Sequence, residues 1–213
     1  MFELINSCAE QYASNFTSAE SDLLASLADF TRNHHKEPHM LSGHVQGRFL
    51  QMISCLLNPL HILEIGTFTG YSALCLASGL QANGKLHTIE FRKEDAELSG
   101  SFFKRSVNCE KIIVHNGDAH KIIPTLDISW DLVFIDADKT GYIEYYDLTL
   151  PFLKTNGLMI VDNVLFHGEV LKENITGRSA KAIDAFNRYV AADSRVEVVM
   201  LTVRDGISLI RKL

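Results

Sequence analysis

Five short apolar runs, each followed by a helix-length stretch, constrain this chain more than any other feature. They begin at His61 (HILEIG), Lys85 (KLHTIE), Lys111 (KIIVHN), Asp131 (DLVFIDA) and Gly157 (GLMIVDN). The intervening stretches near 70–80, 93–107, 119–127 and 139–152 read as helices. A strand that is apolar throughout, rather than at alternate residues, is covered on both faces. Strands of that kind alternating with helices build a parallel sheet with helices on either side. The tail departs from the pattern. A helix near 178–192 leads into RVEVVMLTV, RDG and ISLIRKL, which read as two adjacent strands joined by a tight turn. The predicted fold is therefore α/β: a doubly wound, mostly parallel sheet that ends in an antiparallel hairpin.

The chain has 213 residues, 46% of them apolar, and only 4 prolines, enough for one domain over 1–213 with a large core. Within it, residues 1–57 read as N-terminal helices and 58–213 as the α/β core. Thr17 to Glu20 has the form of a capping box ahead of an amphipathic run through Phe30, and Val45, Phe49, Met52, Ile53 and Leu56 recur at helical spacing. A net charge of −6 and a pI near 5.8 weigh against a general nucleic-acid binder. The four cysteines, Cys8, Cys55, Cys75 and Cys109, form no C-x-x-C pair and read as reduced thiols of a cytoplasmic protein. The opening MFELINSCAEQYASNF carries Glu3 and Glu10 and has no basic segment, so no signal peptide is expected. No apolar run approaches the ~20 residues that span a bilayer.

In open α/β sheets ligands bind beyond the carboxyl ends of the strands. The first strand ends LEIGTFTGYS, where Gly66 and Gly70 permit a tight turn against a ligand and Glu64 sits just inside the strand. The second ends at Glu90, far enough past Gly70 for an acid to hold a ribose diol. The bland alternative is an ordinary strand-to-helix turn with a surface acid. The loop lacks G-x-G-x-x-G, so the ligand need not carry a pyrophosphate. The fourth strand ends at Asp136 and the fifth at Asp162–Asn163. Two carboxylates and an amide oxygen suit a hard cation such as Mg²⁺, with positions left over for water or substrate. Equally, Asp136 or Asp138 can cap the next helix, and Asp162–Asn163 can form a turn. Beside a divalent cation the ammonium form of Lys139 is disfavoured, its pKa falls, and it can serve as a general base. The histidines His34, His35, His39 and His44 lack the spacing of a helix-borne ligand pair. His120 and His167 lie on loops near the predicted site, and Trp130 reads as packing.

Taken together, LEIGTFTGYSALCLASGL, DLVFIDADKTGYIEYY, GLMIVDNVLFHGEV and RVEVVMLTVRDGISLIRKL resemble the cation-dependent class I O-methyltransferases, which include caffeoyl-CoA and catechol O-methyltransferases. The resemblance covers about residues 36 to 213. It implies a Rossmann-like class I methyltransferase fold with seven strands and a cofactor, S-adenosylmethionine. Glu64, Gly66 and Ser72 would surround its methionine part, Glu90 its ribose, Ala119 and His120 its adenine. Met40 and Leu41 would cover it, and Asp138 would lie close by. Asp136, Asp162 and Asn163 would ligate the metal, most simply Mg²⁺, with Mn²⁺ or Ca²⁺ as alternatives, and Lys139 would be the catalytic base beside Asp136. The implied acceptor is a small phenolic or catechol-like molecule, the implied assembly a homodimer. Phe166 stands where the plant enzymes carry a tryptophan, and the loop from His167 to Arg178 is shorter than theirs, so this segment and the N-terminal helices are where acceptor choice would diverge.

Three rival readings remain. A member of the same family acting on a hydroxylated uridine in transfer RNA is opposed by the acidic pI. An NAD(P)-dependent oxidoreductase is opposed by the missing glycine pattern and by the lack of a Tyr-x-x-x-Lys pair. A non-catalytic binding module is opposed by the joint presence of Asp136, Lys139, Asp162 and Asn163.

Overall fold

The computed structural model describes residues 6–213. Residues 1–5, with the Glu3 of the N-terminal stretch read for a signal peptide, lie outside the described residues. Three helices come first: α1 (Ser7–Asn15), α2 (Asp22–His34) and α3 (His44–Leu57). The strands are β1 (His61–Ile65), β2 (Lys85–Glu90), β3 (Ile112–Asn116), β4 (Trp130–Ile135), β5 (Leu153–Asp162), β6 (Val196–Leu201) and β7 (Ile207–Lys212). Helices α4 (Tyr71–Ala77), α5 (Lys93–Phe103), α6 (Ala119–Ile122) and α7 (Tyr142–Thr149) join the first five strands, and α8 (Arg178–Ala191) precedes β6.

All seven strands form one sheet in the order β3-β2-β1-β4-β5-β7-β6. The first five run parallel, and β7 enters antiparallel between β5 and β6. The apolar runs are strands because both faces are covered. Trp130, Tyr142, Tyr146 and Phe186 fill one side, while Leu27, Leu50, Leu76 and Phe134 fill the other. On α8 the buried residues Ala180, Ile183, Phe186 and Val190 recur at helical spacing and lay one stripe against the sheet.

Four details depart from the sequence reading. Ser21, not Thr17, caps α2, accepting the N–H of Leu24 at 3.4 Å. Thr17 instead donates its hydroxyl to Ala13 at the end of α1, and Glu20 accepts from the Tyr71 hydroxyl. The buried face of α3 is Gln46, Gly47, Leu50 and Ser54, whereas Met52 and Leu56 are exposed, because small residues let α3 press against α4. Finally, β5 begins at Leu153, ahead of Gly157, with an irregularity opposite Trp130 and Leu132 that the left-handed Asn156 accommodates.

Candidate active site

β1 and β4 are neighbours, but the chain leaves them in opposite directions, so a crevice opens at their carboxyl ends. Here it is a cavity of about 1270 Å³. Single small-ligand sites usually occupy ~300–1,000 Å³, so this one exceeds the usual range.

One end is built from the loop after β1. Gly66 has φ 101°, and a Cβ there would stand 1.9 Å from the backbone oxygen of Asp136; only glycine permits that approach. Phe68 is also left-handed (φ 50°) and is tied down by donating its N–H to Glu90 Oε2 at 2.7 Å. The other oxygen of Glu90 accepts the N–H of Arg92 at 2.9 Å. Each carboxylate oxygen keeps a free lone pair, and Glu90 lies on the cavity wall, placed to accept from vicinal hydroxyls. Ser72, on the first turn of α4, also lines the cavity.

Glu64 does not. It is 0% exposed and sits beneath the wall, with Oε2 accepting from Thr88 at 2.5 Å. Its Oε1 makes no well-aligned hydrogen bond among the described residues. Burial pushes this carboxyl up to about 8 against the lowering effect of Ser72 and Thr88, so it holds its proton at neutral pH. Glu64 therefore stands directly behind Ser72 and Thr88, at the part of the wall that the sequence assigned to the methionine moiety.

Ala119 and His120 open α6 on the far side of this end. His120 stacks on Tyr145 with ring centres 4.6 Å apart, Nδ1 lies 3.1 Å from Asp118, and Nε2 lies 2.9 Å from Glu144. With Ile89 and Phe91 they make a largely apolar slot. Met40 and Leu41, in and after the turn Pro38–Met40, line the cavity too.

At the other end lies Lys139, in the turn that follows β4. Its Nζ donates to Asp136 Oδ1 at 2.8 Å, Tyr142 Oη at 2.7 Å and Asn163 Oδ1 at 2.7 Å. Burial alone would lower its pKa, but the charge of Asp136 and the bonds to Asp136 and Tyr142 outweigh it and hold the ammonium well above its ordinary range. In this arrangement Lys139 is a charged clamp; the lowering expected from the sequence belongs to the arrangement with a divalent cation beside it. Asp162 is buried, receives Gln46 Nε2 at 2.5 Å on Oδ2 and the Asn163 N–H at 2.7 Å on Oδ1. Burial and the charge of Asp136 push it up to about 7. Asn163 is left-handed (φ 58°), and its amide donates to Asp205 at 3.1 Å. Asp138 occupies the exposed edge, accepts from the Thr140 hydroxyl and lines the cavity.

Two carboxylates and an amide oxygen thus converge in a secluded corner with a single ammonium to answer them. A hard divalent cation offsets such a surplus, so the donor set Asp136, Asp162 and Asn163 fits one. Among the described residues no group of three or more His, Cys, Asp or Glu could hold a metal, which makes the Asn163 oxygen necessary to the set.

Sequence reasoning missed Gln46, Tyr142, Arg204 and Asp205. Gln46 and Arg204 form a relay, Arg204 Nη1 donating to Gln46 Oε1 at 3.1 Å and Gln46 donating to Asp162. A buried glutamine on α3 and a turn residue with φ 48° carry no local signal of this; only Tyr142, three residues past Lys139, was within reach of a spacing argument.

The family model described as O-methyltransferase matches residues 14–213, extending N-terminally the similarity read from residue 36. The chain is 31% identical over 214 residues to "Probable caffeoyl-CoA O-methyltransferase 1" of Dictyostelium discoideum, covering 98% of this chain and 93% of that protein. It is 33% identical over 173 residues to a catechol O-methyltransferase of Niastella koreensis, covering 77% and 78% respectively. Among solved structures, the O-methyltransferase TomG from Streptomyces achromogenes in complex with SAM superposes with a TM-score of 0.89 at 29% identity, over 96% of both chains. An O-methyltransferase from Bacillus cereus in complex with SAH does so with a TM-score of 0.89 at 27% identity, over 97% of both.

Proposed function

The chain belongs to the O-methyltransferase family, and from that premise we propose that it moves a methyl group from S-adenosylmethionine to one hydroxyl of a catechol-like small molecule. What carries the reading is that one cavity joins a glycine loop and a diol-accepting acid, Glu90, to the acidic corner of Asp136, Lys139, Asp162 and Asn163. The two relatives crystallised with SAM and SAH support the donor. The proposal includes a divalent cation, Mg²⁺ first, held by Asp136, Asp162 and Asn163.

In this reading Glu90 takes the ribose hydroxyls, Gly66 and Ser72 border the methionine part, and Ala119 and His120 flank the adenine under Met40 and Leu41. Asp138 lies beside the cofactor. The sulfonium already activates its methyl carbon, so the acceptor oxygen must become nucleophilic. A phenol with a pKa near 10 needs about 4 kcal/mol to ionise at pH 7. A bound cation would supply Lewis acidity and fix both oxygens of a vicinal diol. Beside such a cation the ammonium form of Lys139 would be disfavoured, and the neutral amine would receive the hydroxyl proton at Nζ, with Tyr142 and Asp136 orienting it. Orienting donor and acceptor in one rigid cavity contributes the rest.

Glu10 and Gln46 reach the cavity from the N-terminal helices, so these helices, as part of the same domain, shape the acceptor end. The exposed Tyr12 on α1, Phe16 just after it, and Met52 and Leu56 on α3 offer apolar surface for a homodimer. The free cysteines suit a cytoplasmic location, and among the described residues no helix is long and apolar enough to cross a membrane. Titration with S-adenosylhomocysteine tests the donor half: the wild type should bind it and Glu90→Ala should bind it far more weakly. Equal binding by both would remove Glu90 from the site.

A further inference from the structure

The histidines ahead of β1 take no part in the reading above, yet one of them packs behind the Phe68–Glu90 end of the cavity. His35 directly follows α2, and its side chain is 8% exposed; that of Asp95, in the first turn of α5, is 5% exposed. His35 Nδ1 accepts the N–H of Glu37 at 3.0 Å. The hydrogen of the neutral ring is therefore on Nε2, which donates to Asp95 Oδ1 at 3.0 Å. Asp95 Oδ2 pairs with Arg92 Nε at 2.6 Å, and the same Nε lies 3.7 Å from Glu90 Oε1. The His35 ring meets Phe68 edge-on at 4.6 Å, and the Arg92 guanidinium lies 5.6 Å from the centre of that ring. Phe68 is the strained residue whose N–H donates to Glu90.

Removing a carboxylate and an imidazole from water is unfavourable, and an apolar contact would join α2 to α5 without that penalty. This polar pair sits where two parts of the cavity meet: the segment 36–41 that carries Met40 and Leu41, and the loop-plus-acid unit of Phe68 and Glu90.

We propose that His35 and Asp95 form a latch that fastens the segment 36–41 to Phe68, Arg92 and Glu90 and so closes the cavity over the donor's nucleoside. His35 is then a positioning residue for S-adenosylmethionine, acting through Phe68 and Glu90, and this role rests on the assignment of Glu90 to the ribose. Breaking the pair frees the segment and loosens Phe68 together, so the nucleoside loses its seat.

The test titrates S-adenosylhomocysteine into the full chain and its His35→Ala, His35→Gln and Asp95→Asn variants. In parallel it follows tryptic cleavage at Lys36, whose side chain is 65% exposed. His35→Ala and Asp95→Asn are expected to weaken binding about tenfold. They should also quicken cleavage at Lys36 and abolish the protection that the ligand gives the wild type. His35→Gln, whose amide can donate to Asp95 where Nε2 did, should recover most of the affinity. If His35→Ala does not fold, His35→Asn, too short to reach Asp95, must show the same loss. Variants with wild-type affinity and wild-type cleavage overturn the latch alone. A wild type that binds no S-adenosylhomocysteine overturns the donor assignment and the latch with it.

Discussion

The α-carbon of Gly66 faces the backbone oxygen of Asp136 so closely that a Cβ would lie 1.9 Å from it. The loop expected to hold the methyl donor and the strand end expected to hold the acceptor therefore rest on each other. Gly66→Ala meets both a clash and a left-handed φ of 101°. It should lower unfolding stability by about 3 kcal/mol or more and weaken donor binding with it, as read by urea denaturation and calorimetry. A variant of unchanged stability would mean the loop is free to shift.

Asp162 separates the two halves of the proposed site. Among the described residues its hydrogen bonds go to Gln46, Asn163 and Tyr142, not to the Glu90 side. Asp162→Ala should abolish methyl transfer while S-adenosylhomocysteine affinity stays near the wild-type value. Normal turnover in that variant would remove the acidic corner from the chemistry.

Lys139 is bonded to Asp136, Tyr142 and Asn163 at once, so its loss has two readings, structural and chemical. Lys139→Met should cut kcat by about 10²–10⁴ if the residue moves the acceptor's proton. Donor affinity should change little. Lys139→Arg keeps the clamp's charge but not a neutralisable amine, and it should remain impaired; recovery of full activity in it would leave Lys139 with a purely electrostatic role.

A pH effect on stability should arise far from the cavity. His87 Nδ1 meets His115 Nε2 at 3.0 Å, and burial, with the nearby His115, His61 and Lys85, lowers His87 from 6.5 to about 4. Above the unfolded value both states are neutral and the pair exerts no pH dependence. As pH falls from about 6.5 toward 4, the unfolded chain gains a proton that the folded chain refuses. Stability then drops by up to about 3 kcal/mol and levels off below the folded value. Urea unfolding across this window should show a shallower slope in His87→Phe than in the wild type; identical slopes would place the acid sensitivity elsewhere.

The sheet was legible because each strand carries its own signal: an apolar run that stops at a polar or glycine-rich end. The same rule exposed Gly66, Glu90, Asp136 and Asp162–Asn163, since polar groups at the ends of buried strands need a purpose. The hairpin was legible from RDG between two strand-like runs. What was not legible depends on contacts across long stretches of chain. Gln46 reaches Asp162, Arg204 reaches Gln46, and His35 reaches Asp95, and none of these pairs leaves a local pattern. The capping box at Thr17 misled because Glu20 is drawn to Tyr71, leaving Ser21 to cap α2. Likewise Lys139 bonds to Asn163 as well as to Asp136 and Tyr142, and sequence proximity shows only the last two.

The central claim is that one cavity presents a methyl donor to a metal-held diol. The most direct measurement supplies labelled S-adenosylmethionine and a series of 3,4-dihydroxyphenyl acceptors, with Mg²⁺ and then with excess EDTA. The account predicts label on one acceptor oxygen with Mg²⁺ and none with EDTA. Transfer undiminished by EDTA, or no transfer to any diol by a protein that binds the donor, would contradict it.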